Sequence, residues 1–143
     1  MASIVDHLND LLYRERGEVE AVRELIAEIA STDPDIADSA RDALETASWS
    51  CHGLYHRLSH LSGVPTLESA GLADALAEQP DTKSKVELIC REQQQDLDMV
   101  SELLKEKGLD RDTRAFLEDL VRAHRTTQSW CEATLSQWKA DTG

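Results

Sequence analysis

Four stretches of this chain repeat apolar residues at alternating spacings of three and four, the period of one face of an α-helix. The first covers residues 3–30, with Ile4, Leu8, Leu11, Val22, Leu25 and Ile29 on one face and Ser3 and Asp6 placed as a capping box. The second covers 34–62. It opens at Asp33-Pro34, a cap residue followed by the proline tolerated at a first helical position, and closes near Gly63 and Pro65. Its stripe is Ala37, Ala40, Leu44, Ala47, Cys51, Leu54, Leu58 and Leu61. The third, 82–107, carries Val86, Cys90, Leu97, Val100 and Leu104, with Lys105 and Lys107 at its negative end and Gly108 closing it. The fourth, 112–139, carries Leu117, Val121, Cys131, Leu135 and Trp138. With one Phe, two Tyr and six Gly in 143 residues, the composition argues against a sheet. Helices striped in this way must bury the stripes on one another, and one domain holding a four-helix bundle is the simplest solution.

The connections are unequal. About four residues separate the first two stripes and the last two, so each pair reads as an antiparallel hairpin. Residues 63–81 lie between the pairs. An extended chain of that length reaches ~60 Å, and a helix of ~26 residues is only ~39 Å long. The segment can therefore travel the whole bundle and leave the second and third long helices parallel. Two hairpins joined by one long crossover is the ferritin-like arrangement.

The stripes break near their midpoints. Both registers available to the first helix, 4-8-11-15-18-22 and 5-8-12-15-19-22, pass through Glu15. Both available to the third, 86-90-93-97-100 and 89-93-96-100-103, pass through Gln93. The fourth places His124 on its stripe, and the second places Cys51 at the comparable point. Midpoints of equal helices share a layer whichever way the helices run. Glu15, Cys51, Gln93 and His124 are therefore expected to meet at the centre of the core.

In layout the chain resembles the ferritin-like superfamily, and the runs 8–12 (LNDLL) and 118–124 (EDLVRAH) are similar to those of small bacterial members. That family places Glu on its first helix, Glu-x-x-His on its second, Glu on its third and Glu-x-x-His on its fourth, and holds two metal ions with them. Here Glu15 stands at the first Glu and His124 at the last His. Ser48-x-x-Cys51 takes the place of the second-helix motif, Gln93 that of the third-helix Glu, and Val121 that of the fourth-helix Glu. The resemblance thus implies the bundle but removes three of the four acids, and with them the usual di-iron ferroxidase or oxygenase activity. What remains can hold at most one ion, zinc or iron. Glu15, Cys51 and His124 are chemically adequate ligands, and Gln93 is placed to orient one of them. The other reading is a layer of polar groups satisfied by one another, fixing helix register without an ion.

Other candidates are weaker. His52, His56 and His60 are spaced by four but point away from the second stripe, with no acid or Cys placed to complete a site. Cys51, Cys90 and Cys131 all fall on apolar stripes and form no C-x-x-C pair, so three free, reduced thiols in a cytoplasmic protein are expected. A Cys51–His124 nucleophile lacks any visible oxyanion hole. The chain has 15 basic and 28 acidic residues, a net charge of −13 that disfavours nucleic acid and anionic membranes. Most of the surplus, including Glu18, Glu20, Glu24 and Glu28, reads as a solvated face. No secretory leader, membrane span or phosphate-binding glycine loop is visible. The leading expectation is a non-catalytic bundle acting as an interaction or stress-type protein. Trp49 on an outer face and Trp138 near the C-terminus point to a homodimer. The alternative is a protein with the single-ion site.

Overall fold

A computed structural model describes residues 3–142, with side chains through residue 138, and every regular element among them is an α-helix. The elements are α1 (Ile4–Ile29), α2 (Pro34–His60), α3 (Leu72–Ala77), α4 (Thr82–Leu103) and α5 (Arg111–Thr142). Residues 1, 2 and 143 of the expected 1–143 domain lie outside the described residues. Local chemistry sets most of the starts. At α1 the Ser3 hydroxyl accepts from the Asp6 amide at 3.2 Å, and the Ser3 amide donates to the Asp6 carboxylate at 3.0 Å, a complete capping box. Asp81 accepts from the Ser84 amide at 2.7 Å to start α4, and Asp110 accepts from the Thr113 amide at 3.1 Å to start α5. Asp33 precedes α2 without a side-chain cap bond, leaving Pro34 to preset the first turn.

Three expectations need correction. The segment between the second and third stripes contains α3, whose Leu72 and Leu76 are spaced by four and buried against α1. The third stripe ends four residues early. Beyond Leu103 the amides of Lys105 and Glu106 reach back to the carbonyls of Glu102 and Leu103 in tighter turns, and Gly108 takes a positive φ of 90°. Lys105 therefore pairs with Glu102 beyond the helix end. The α2 terminus is turned by Ser62, at φ 60°, rather than by Gly63. Gly63 is needed for space, because a Cβ there would lie 2.8 Å from Val5 Cγ1.

The four long helices pack as a closed ring: α1 contacts α2 and α4, and α5 contacts the same two. The buried apolar residues fall into two clusters. One joins the C-terminal half of α1 (Val22, Leu25, Ile29) to Ala37 and Ala40 of α2, Val86 and Ile89 of α4, and the Trp130–Trp138 stretch of α5. The other joins Leu8, Leu11 and Leu12 of α1 to Leu54 and Leu58 of α2, Val100 and Leu103 of α4, and Leu117 and Leu120 of α5. The sequence gap between the clusters is occupied by buried polar residues: Glu15 and Glu18 on α1, Ser50 on α2, Gln93 and Asp96 on α4, and His124 and Thr127 on α5.

The segment after α2 is strapped to α1. Asn9 donates from its amide to the Val64 carbonyl at 3.0 Å and accepts from the Thr66 amide at 2.9 Å. Further along, the Ala70 amide donates to the Tyr13 carbonyl at 3.0 Å. Gly17 makes the closest approach possible, since a Cβ there would sit 2.6 Å from the Ala70 carbonyl oxygen. Gly17→Ala is expected to push the strap off α1 and cost about 1–3 kcal/mol, the usual range for overpacking. Gly71→Ala, whose Cβ would meet nothing nearer than Asp74 at 3.9 Å, should change urea-unfolding stability far less.

Candidate functional site

The central layer is carboxylate-rich and dry. Glu15 is 1% exposed, Glu18 0%, Gln93 3%, Asp96 0% and His124 2%. Helical geometry brings them together: Glu15 and Glu18 are one turn apart on α1, Gln93 and Asp96 one turn apart on α4, and His124 faces both from α5. One ligand atom each from Glu15, Asp96 and His124 lies within 4.8 Å of the other two.

Gln93 organises the layer. Its Oε1 accepts from His124 Nδ1 at 2.7 Å, and its Nε2 donates to Glu18 Oε2 at 3.1 Å. Because Gln93 Oε1 can only accept, Nδ1 carries the proton, and in the neutral ring the lone pair of His124 lies on Nε2. Nε2 stands 2.6 Å from Glu15 Oε1, but the two are not aligned as a hydrogen bond. On the far side Arg14 anchors Asp96: its Nε donates to Asp96 Oδ1 at 2.7 Å and its Nη2 to Glu92 Oε2 at 2.7 Å. That leaves Glu15 Oε2, Glu18 Oε1 and Asp96 Oδ2 buried without a donor.

The electrostatics follow from this shortage. Burial raises the pKa of Glu15; Asp96 adds to the rise and His124 opposes it. Glu18 is pushed well above the usual carboxylate range by burial first, then by Glu15 and Asp96. For His124, burial works against the charged ring, but the Glu15 and Asp96 carboxylates outweigh it and raise its pKa.

Of the four residues expected at the centre, Glu15, Gln93 and His124 share the layer. Cys51 is not in the convergent group; Asp96 takes its place as the third potential ligand. Cys51 is half-buried beside a groove between α1 and α2, its thiol pushed up to about 12 by burial and the nearby Glu15 carboxylate. A thiol so protonated is a poor nucleophile and a poor metal ligand near neutral pH. Glu18, read as part of a solvated face, is instead fully buried. Glu18 and Asp96 both lie on the registers drawn through Glu15 and Gln93, so the signal was an acid at an apolar position one turn further on.

The remaining candidates lie elsewhere. His52, His56 and His60 are exposed. The Nε2 atoms of His52 and His56 are 3.0 Å apart, and His60 Nδ1 is bonded to the His56 carbonyl. Trp49 is half-exposed and tilts against Phe116. Cys90 and Cys131 are joined as a disulfide between α4 and α5, with Cα atoms 5.8 Å apart. Two stripe positions facing each other across one helix pair bring the sulfurs together. The expectation of three reduced thiols is thus corrected to one free Cys51, which removes the basis for placing the protein in the cytoplasm. Among the described residues no helix is long and apolar enough to cross a membrane.

Compared with known proteins, the chain matches no family model, no curated sequence and no solved structure.

The raised pKa values carry a signed pH dependence. A group whose folded pKa is raised favours the fold below its unfolded pKa and loses that contribution as pH rises through the folded value. Glu15, Glu18 and His124 share this sign. The lowered pKa values of Asp6, Asp81 and Asp110 act only on acidification below the ordinary range near 3.8. The metal-free protein is therefore expected to melt at a higher temperature at pH 5 than at pH 8. Glu18→Gln, which keeps the shape and drops the charge, should raise the pH 8 melting temperature and flatten the slope.

Proposed function

We propose that this chain is a metal-binding helical protein holding one divalent first-row ion in the middle of its core. Glu15, Asp96 and His124 are the ligands, with Glu18 alongside and Gln93 fixing the histidine tautomer. The observation that carries the reading is the set of orphaned oxygens. A polar layer that served only helix register would pair its buried atoms, whereas Glu15 Oε2, Glu18 Oε1 and Asp96 Oδ2 have no donor. A cation held between Glu15, Asp96 and His124 would answer the shortage at Glu15 and Asp96. The donated Nδ1–H of His124, leaving Nε2 free beside Glu15, is the outer-shell arrangement that metal-bound imidazoles need. An oxygen-rich set with one imidazole and no thiolate favours iron(II) or manganese over thiolate-seeking zinc.

The ferritin-like arrangement belongs to the same reading. It is supported by the closed ring of four long helices and by the cluster that gathers the starts of α2 and α4 with the ends of α1 and α5. That distribution fits α2 and α4 running in one direction, with the strapped segment and α3 carrying the chain between them. Of the three acids missing from the family pattern, the one at Gln93 is offset by Asp96 one turn along, and Glu18 adds an acid one turn after Glu15. Nothing replaces the acids at Ser48, which is exposed, or Val121, which is apolar. One ion, rather than a pair, fits this set, and no reaction is assigned to it.

Protein purified without a histidine tag and stripped with chelator should take up one iron(II) or manganese ion per chain under anaerobic titration. At an ion concentration 100 times Kd the gain is about 2.7 kcal/mol, seen as a rise in melting temperature. Glu15→Gln should weaken uptake at least tenfold while leaving the metal-free protein as stable as before or more so. Cys51→Ala should leave uptake unchanged. Absence of stoichiometric uptake by the wild-type chain, together with an unshifted melting temperature, would sink the metal reading and leave the polar layer as structure alone.

A further inference from the structure

The groove beside Cys51 has a chemistry of its own. It lies between α1 and α2 with a volume of about 410 Å³, within the range of small-molecule sites. Arg16 and Arg23 project into it from α1, and Ser48, His52 and Tyr55 from α2. Among the described residues neither arginine makes an ion pair, and Arg16 Nε is the only buried guanidinium nitrogen without a hydrogen-bond partner. One carboxylate, Glu20, shares the wall, and its Oε1 accepts from Ser69 of the strapped segment at 2.9 Å. The groove therefore gathers two guanidiniums and two hydroxyls as donors in a protein of net charge −13, beside an imidazole, His52, that is paired with His56.

The geometry points to a binding site for a small oxyanion-bearing molecule, a carboxylate or a phosphate ester. A guanidinium presents a planar fork of donors that matches both groups and binds them more strongly than neutral donors do. Arg16 and Arg23 stand seven residues apart, about two helical turns or ~10 Å along α1. Side chains of their length can close on one anionic group from both ends of the groove or hold the two ends of a dianion. Ser48 and Tyr55 add neutral donors from the opposite wall. The half-buried position of Arg16 removes part of the water that would otherwise screen its charge. This site shares no residue with Glu15, Asp96 and His124, and it does not depend on a metal being bound there.

Chelator-treated protein at low ionic strength should be titrated separately with inorganic phosphate and with succinate, followed by backbone amide shifts. Saturable shifts confined to residues 16–23 and 48–55 are expected with at least one probe. Response to phosphate alone identifies a phosphate ester as the ligand class, response to succinate alone identifies a carboxylate, and either supports the site. The double variant Arg16→Gln/Arg23→Gln should weaken binding at least tenfold, while keeping the wild-type melting temperature and iron(II) uptake. Arg125→Gln, an exposed arginine on α5, should bind as the wild type does. Failure of both probes to saturate below about 10 mM, a range weaker than specific binding, would overturn the proposal. So would unchanged binding by the double variant, or an equal loss in Arg125→Gln. Because metal uptake is read separately, loss of the groove and loss of the core site are distinguishable.

Discussion

Three carboxylates share a space that water does not reach, and the fold around them supplies too few donors. An ionised group taken out of water must find a partner, take up a proton or bind a cation. Arg14 answers one oxygen of Asp96, Gln93 one oxygen of Glu18, and His124 stands against one oxygen of Glu15. Each carboxylate keeps a second oxygen that no N–H or hydroxyl of the chain reaches, and Glu18 lies against the carboxyls of both Glu15 and Asp96. The apolar clusters on either side of the layer make this costly, because they hold the surroundings at low polarity. The same clusters set the helices in register, so the acids cannot rotate into solvent without unpacking Leu12 on one side or Ala21 on the other.

The helices were legible in the sequence because an amphipathic stripe is a repeated signal and survives local exceptions. Ser3 and Pro34 marked starts that the structure uses. Ends were read less well. The stop at Leu103 depends on tight turns whose hydrogen bonds leave no composition signature, and Lys105 with Gly108 drew the expected end outward. Glu15, Gln93 and His124 stood out as polar breaks in both registers of their helices or on the one register available. Glu18 and Asp96 did not, because an acid on a helix is far more often solvated, and only the three-dimensional neighbourhood shows otherwise. Cys51 illustrates the opposite error. It is a stripe position by spacing, yet the small side chains of α2 let α1 and α2 pack so that it sits beside a groove.

The two proposed sites differ in how the protein pays for them. In the core, charge is crowded and the missing element is a cation. In the groove, donors are crowded and the missing element is an anion. Arg16 follows Glu15 directly, so one turn of α1 presents opposite chemistries on adjacent faces. A helix does this easily, because successive side chains are turned by about 100°.

The partners in the central layer are far apart along the chain. Gln93 meets Glu18 across 75 residues, and Arg14 meets Asp96 across 82. Neither contact can form until α1 has docked on α4, whereas α1 with α2 and α4 with α5 are sequence neighbours that collapse early. The acids therefore stay hydrated through much of the folding reaction and lose their water only as the two halves close. Interactions formed after the transition state affect unfolding more than folding, so changes within the layer are expected to act mainly on how fast the native protein comes apart. On that order of events, the central site is expected to set the lifetime of the folded chain and the leucine-rich stripes the speed of its folding.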